Sequence, residues 1–315
     1  MSLFSYEGFA VLIVIMLALD LYQTRGGNVT IKKAAVWSLF WVALALTFNF
    51  VIYLYWQEMA PVSSYTNSEA ATAFLTGYLL EKSLSVDNLF VFALIFGQFA
   101  VPEAIRPRVL MLGVVGALIL RGIMIAVGAE LLTQFHWVLY VFAAFLLYTG
   151  YKLWSEDENE QDDFSDSLPV RLVKNCFRVS DSYQGNKLLV RDCQGWIATP
   201  LMIVIAVIAL TDVMFALDSI PAIFAVTKEP FLVFTANVFA LLGLRSLYFV
   251  LEGMLTRFCY LRPALAFILS FIGIKMLLME TRWAIPTPIS LCVIVLTISA
   301  AIIGSLWKTR TVPAS

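Results

Sequence analysis

The chain reads as an all-α, polytopic membrane protein of about nine transmembrane helices, six of them forming a three-plus-three inverted-topology repeat. Three observations lead there. Of 315 residues, 61% are hydrophobic and only 14% charged, where a soluble chain carries about 25% charged residues. Apolar runs of about 20 residues, the length that crosses a bilayer, recur from end to end. And inside those runs acids, arginines and lysines return twice in the same order.

In chain order the runs fall near 7–23, 34–56, 70–99, 108–129, 134–153, 198–226, 231–254, 262–280 and 286–307. MSLFSYEG lacks the basic flank and small-residue cleavage site of a signal peptide, so 9–21 reads as a retained first helix. Basic residues mark alternate connections: Arg25, Lys32 and Lys33, then Arg106 and Arg108, then Arg171, Lys174 and Arg178, then Arg257 and Arg262, and finally Lys308 and Arg310. By the positive-inside rule the N-terminus is expected outside and the C-terminus in the cytoplasm, with the chain in the inner (cytoplasmic) membrane.

The expected divisions are 1–69 (two helices), 70–154 (first unit), 155–196 (a cytoplasmic loop), 197–282 (second, inverted unit) and 283–315 (last helix and tail). The loop opens with Glu156, Asp157, Glu158, Glu160, Asp162, Asp163 and Asp166, which read first as a solvated linker. Leu168–Val179 follows as a short amphipathic helix at the membrane surface. Lys187–Ile197 then suggests a hairpin around Asp192–Gly195.

Several functions are disfavoured. Basic runs occur only at membrane flanks, so nucleic acid is not an expected partner. Cys176, Cys193, Cys259 and Cys292 form no CxxC pair, and His136 is the single histidine. A redox dithiol and a His-rich zinc or copper site are therefore not expected. No nucleophile–base pair or nucleotide loop is visible, so an enzyme with a permanently bound cofactor is not expected either.

The repeat carries the functional reading. Setting GYLLEKSLSVDNLFVFALIF, from Gly77, beside VIALTDVMFALDSIPAIFAV, from Val207, puts Glu81 on Asp212, Asp87 on Asp218 and Asn88 on Ser219. The next run of each unit holds one arginine, Arg121 or Arg245, and the third ends in Gly150-Tyr-Lys152 or Gly273-Ile-Lys275. Three runs per unit invert the second unit, which places Glu81 and Asp212 near the midplane.

An intramembrane charge costs at least about 2.5–3.5 kcal/mol, so these acids call for partners. Asp20, Glu81, Asp87, Asp212 and Asp218 face only Lys82, Arg121 and Arg245 at mid-span, leaving two negative charges. One divalent cation would neutralise them, as would two protons. Carboxylates with Asn88 and Ser219 are hard oxygen donors suited to Mg²⁺, Ca²⁺ or Mn²⁺. Asp20 and Asn49 are candidate entry ligands or packing groups, and Arg121 and Arg245 are expected counter-charges to the acids of the facing unit. Lys152 and Lys275 are expected near span ends, with their ammonium groups reaching the interface. Acids six apart on a straight helix diverge by about 120°. Either they serve different roles or the helix unwinds between them, which Pro221 supports in the second unit by freeing the carbonyl of Leu217. The plain structural alternative, ion pairs that only fix packing, leaves the excess of acids unexplained.

These strings resemble the TerC family of integral membrane proteins, most closely its Alx-like branch. The likeness rests on EKSLSVDN (81–88), DVMFALDSIPAIFAVT (212–227), LLGLRSLYF (241–249), IGIKM (272–276) and LALD (17–20), and it extends over essentially the whole chain. Ser85 stands where the family often has alanine. The resemblance implies metal-ion export, chiefly of manganese, with links to tellurium resistance and an alkaline-pH response. Glu81, Asp87, Asp212 and Asp218 would be the family's intramembrane acids. A competing class is a non-transporting membrane scaffold in metal, tellurite or pH stress, acting through 155–196.

Overall fold

The structure is a computed structural model that describes residues 6–23, 30–135, 137–155, 167–180, 182–185, 187–192, 195–251, 260–279 and 281–311. His136, the acidic block 156–166 and Cys193 and Cys259 lie outside the described residues. So do the side chains of Asp87 and Asp218, although their backbone is helical.

The elements run α1 (Tyr6–Gln23), α2 (Ile31–Met59), α3 (Asn67–Gln98), α4 (Arg106–Gln134), α5 (Val138–Ser155), α6 (Leu168–Cys176), β1 (Arg178–Val179), β2 (Leu189–Asp192), β3 (Gly195–Ala198), α7 (Pro200–Phe224), α8 (Pro230–Leu241), α9 (Leu244–Leu251), α10 (Leu261–Leu278) and α11 (Thr287–Thr311). Among the described residues five helical stretches are long and apolar enough to cross a bilayer: 31–59, 103–132, 200–224, 230–250 and 287–305. Shorter apolar helices cover 11–20, 138–152 and 263–278. The longest helix, α3 with 32 residues, carries Glu81, Lys82 and Asp87 in its middle. It starts at a capping box in which Thr66 and Glu69 satisfy each other's backbone N–H.

Two local expectations are corrected. Pro221 does not unwind α7, which continues to Phe224. A proline removes only one helical bond, to the residue four before it, and the next turn closes with Ala225 N–H on the carbonyl of Pro221. The 231–254 run, by contrast, is interrupted. Leu242 turns extended and Gly243 takes φ +77°, so the chain leaves α8 and restarts as α9. A Cβ on Gly243 would meet Cδ1 of Trp41 at 2.6 Å. Only glycine permits both the left-handed backbone and this contact.

Two apolar clusters fill the interior. One gathers Trp41, Phe48, Phe74, Leu80, Ile125, Ala216 and Phe239; the other gathers Leu89, Phe96, Ala117, Ile208 and Tyr248. Each principal helix passes from one to the other. α3 crosses between Leu80 and Leu89, α4 between Ala117 and Ile125, and α7 between Ile208 and Ala216. Those crossings bracket Glu81, Arg121 and Asp212, so the charged residues form a polar layer between two greasy ones. α3 packs on α8 while α4 packs on α7, and α5 crosses α10. At that last crossing a Cβ on Gly150 would lie 3.0 Å from the carbonyl of Ala266, and one on Gly273 3.2 Å from that of Ala143.

The 167–198 segment is a folded unit. α6 is shorter than expected because Arg178–Val179 pairs in parallel with β3 instead of continuing the helix. β2 and β3 pair antiparallel and close at Asp192–Gly195, as the sequence suggested. Pro169, Val170 and Val173 bury α6, which packs on α7, leaving Leu168 and Leu172 exposed. Tyr183 donates its hydroxyl to the carbonyl of Phe99 at 2.7 Å, tying this unit to the end of α3. Burial pushes that phenol above its ordinary pKa. At the other end of the helices, Ser63 donates to Glu229 at 2.6 Å and Thr227 to the Tyr65 hydroxyl at 3.3 Å, joining the α2–α3 and α7–α8 loops.

A buried polar layer as candidate cation site

Glu81 is fully buried on α3, and its Oε2 accepts from Nη1 of Arg121 on α4. The same nitrogen donates to Oδ1 of Asn237 on α8 at 2.7 Å. One arginine thus links three helices, α3, α4 and α8. Asp212 on α7 is buried as well, 5% exposed. Among the described residues, several oxygens of α3 and α7 are buried without a hydrogen-bond partner: Glu81 Oε1, Ser83 Oγ, Ser85 Oγ and Ser219 Oγ. An orphaned buried oxygen is costly, and a bound cation is the ligand that would satisfy several at once. Asn88 is buried as well.

Glu81 and Asp87 lie on one uninterrupted helix, as do Asp212 and Asp218. Of the two options left open by the six-residue spacing, unwinding is therefore not the one taken. The backbone positions diverge by about 120° around each axis, so the two acids of a pair serve different places.

The second arginine builds a separate centre. Nη2 of Arg245, at the start of α9, lies 3.2 Å from Oδ2 of Asp20 on α1 and also donates to the Asp20 carbonyl. The expected pairing of each arginine with acids of the opposite unit is corrected on both counts. Arg121 binds Glu81 of its own unit, because α4 and α3 bring them together at one depth, and among the described residues it hydrogen-bonds the other unit through Asn237. Arg245 turns to α1 because the break before it redirects α9 toward α2. Asp20 is thereby committed to an ion pair.

Other readings also shift. Lys275 does not reach an interface: it is 3% exposed, and among the described residues its ammonium has no hydrogen-bond partner. Lys152, which the sequence sets beside it, is exposed. Adding Lys275 to the mid-span cations lowers the excess of mid-span acids from two to one. Asn49 lines a side cavity of about 350 Å³ between α2, α3 and α11. Asn237 was not singled out in the sequence, where it is the sole amide in FLVFTANVFAL; an amide inside a fully apolar run was the available signal. Among the described residues no three His, Cys, Asp or Glu side chains converge.

The profile of the "Integral membrane protein TerC family" matches residues 66–312. This chain belongs to the TerC family. It is 48% identical over 292 residues to the protein named "Putative membrane-bound redox modulator Alx" of Escherichia coli (strain K12), covering 92% of this chain and 90% of that one. An uncharacterized membrane protein of Myxococcus xanthus is 41% identical over 98% of this chain and 94% of its own. The chloroplastic "Thylakoid membrane protein TERC" of Arabidopsis thaliana is 43% identical over 75% of this chain and 61% of its own. No solved structure matches. As a TerC protein the chain is a multi-pass integral membrane protein in contact with the lipid bilayer.

Proposed function

We propose that this TerC protein exports divalent metal cations across the cytoplasmic membrane, with manganese as the main substrate. The carrying observation is the buried layer in which Arg121 holds Glu81 and Asn237 while neighbouring oxygens lack partners. In this reading Glu81, Asp87, Asn88, Asp212, Asp218 and Ser219 supply the oxygen ligands. Arg121 is the counter-charge that keeps Glu81 in place before the ion arrives, and Arg245 is the counter-charge of Asp20 in its separate centre. Hard oxygen donors select Mg²⁺, Ca²⁺ and Mn²⁺ as a class; the choice of manganese rests on the family resemblance. The chain is read as a transporter and not an enzyme, with the N-terminus outside and the C-terminus cytoplasmic.

The mechanism we infer is alternating access by rocking of two inverted units, α3–α5 against α7–α10. Reciprocal packing supports it. Registering Gly150 on Gly273 also registers Ala143 on Ala266, and each glycine packs on the other unit's alanine carbonyl. α3 against α8 mirrors α7 against α4 in the same way.

Manganese uptake into inside-out vesicles tests the site. Glu81→Gln, Asp212→Asn and the pair Asp87→Asn with Asp218→Asn are each expected to cut uptake at least tenfold at wild-type protein levels. Normal uptake by the double variant would remove those two acids from the site. The scaffold reading draws on the folded 167–198 unit and its tie to α3. Deleting the acidic block should leave an exporter's flux intact and abolish a scaffold's stress phenotype.

A further inference from the structure

The break between α8 and α9 holds a second cation position, and it is already filled. A helix ending inside the membrane leaves carbonyls with no N–H partner, where water cannot satisfy them. At this break the carbonyls of Ala240 and Leu242 converge on Nζ of Lys82, at 3.2 and 3.5 Å. Lys82 follows Glu81 directly on α3, so one helix serves the acidic layer with one residue and the broken helix with the next.

We propose that Lys82 is a tethered substitute for an alkali-metal ion. Two features point to an ion cradle. Both oxygens are neutral carbonyls at the negative end of a helix, the donor type that suits a bare monovalent cation and an ammonium alike. And the cradle does not depend on lysine for its shape. Gly243 is seated against the ring of Trp41, α8 is anchored on one side through Asn237 and Arg121, and α9 on the other through Arg245 and Asp20. Removing the ammonium therefore exposes a preformed pair of oxygens that an alkali ion can occupy. The proposal concerns the resident charge at the break and is independent of which metal is exported.

The test uses the full chain purified in detergent, with a divalent chelator present so that the export site stays silent. Thermal unfolding is followed in choline chloride, sodium chloride and potassium chloride, each at about 0.15 M so that screening is matched. Wild type and Lys82→Arg, which keeps the charge, are expected to melt at the same temperature in all three salts. Lys82→Met is expected to melt several degrees lower in choline and to regain at least half of that loss in sodium or potassium. If the methionine variant matches wild type in choline, the ammonium does not support the break and the proposal fails. If it melts low in every salt, the carbonyls form no ion site and the proposal fails equally. Should Lys82→Met not accumulate, Lys82→Ala, which likewise leaves both carbonyls without a donor, is read by the same two criteria.

Discussion

α7 and the α8–α9 pair make an instructive contrast. α7 carries the strongest local helix breaker in the membrane region, Pro221, and runs on to Phe224. The next span carries no proline inside and comes apart at Leu242–Gly243. A breaker within four residues of a helix end costs one hydrogen bond, and there is little helix left to disturb. A glycine at mid-span costs little by itself, but it lets a neighbour come close. Trp41 takes that room, Lys82 receives the freed carbonyls, and Arg245 swings to Asp20. Where a membrane helix breaks is thus decided by the partners waiting for the broken ends.

Three stability measurements in detergent would break or sharpen this contrast. The largest effect is expected from Arg121→Met, which removes the anchor of α8 and leaves Glu81 as an uncompensated buried charge. That loss is about 3–5 kcal/mol. Adding Glu81→Gln should return a good part of it, since no bare charge then remains. No recovery in the double variant would show that Arg121 acts through packing alone.

Gly243→Ala comes next. A left-handed non-glycine residue costs about 1–2 kcal/mol, and crowding Trp41 adds about 1–3 kcal/mol. Trp41→Leu in the same chain should couple favourably with it in a double-mutant cycle. Strict additivity would mean that Trp41 does not hold the break. The smallest change is expected from Pro221→Ala, within about 1 kcal/mol of wild type in either direction. A loss of several kcal/mol there would mean that α7 depends on its proline after all.

Much of the framework was legible in the sequence. Long apolar runs marked the helices because a bilayer admits little else. Asp192 pairs with Gly195 where the hairpin was expected, and the two glycines matched in the sequence, Gly150 and Gly273, lie at one helix crossing. Glu81, Asp212 and Arg121 stood out because a charge in an apolar run is expensive enough to need a reason. Asn237 did not, since a lone amide in such a run is as often a packing group. Lys275 was misjudged because its place near a span end says nothing about whether α5 and α11 close over it.

The sequence by itself determined that this chain lives in the membrane, that it belongs among TerC proteins, and that its charges come in a repeated order. The first and last follow from composition and spacing and the family from the likeness of whole strings, none of which needs knowledge of neighbours. Tertiary structure alone decided the pairing: Glu81 with Arg121 and Asn237, Asp20 with Arg245, and Lys82 with the carbonyls of a helix that no local signal had broken. In a medium without water each buried charge takes the partner that packing brings within reach, and that choice is made between helices distant in sequence.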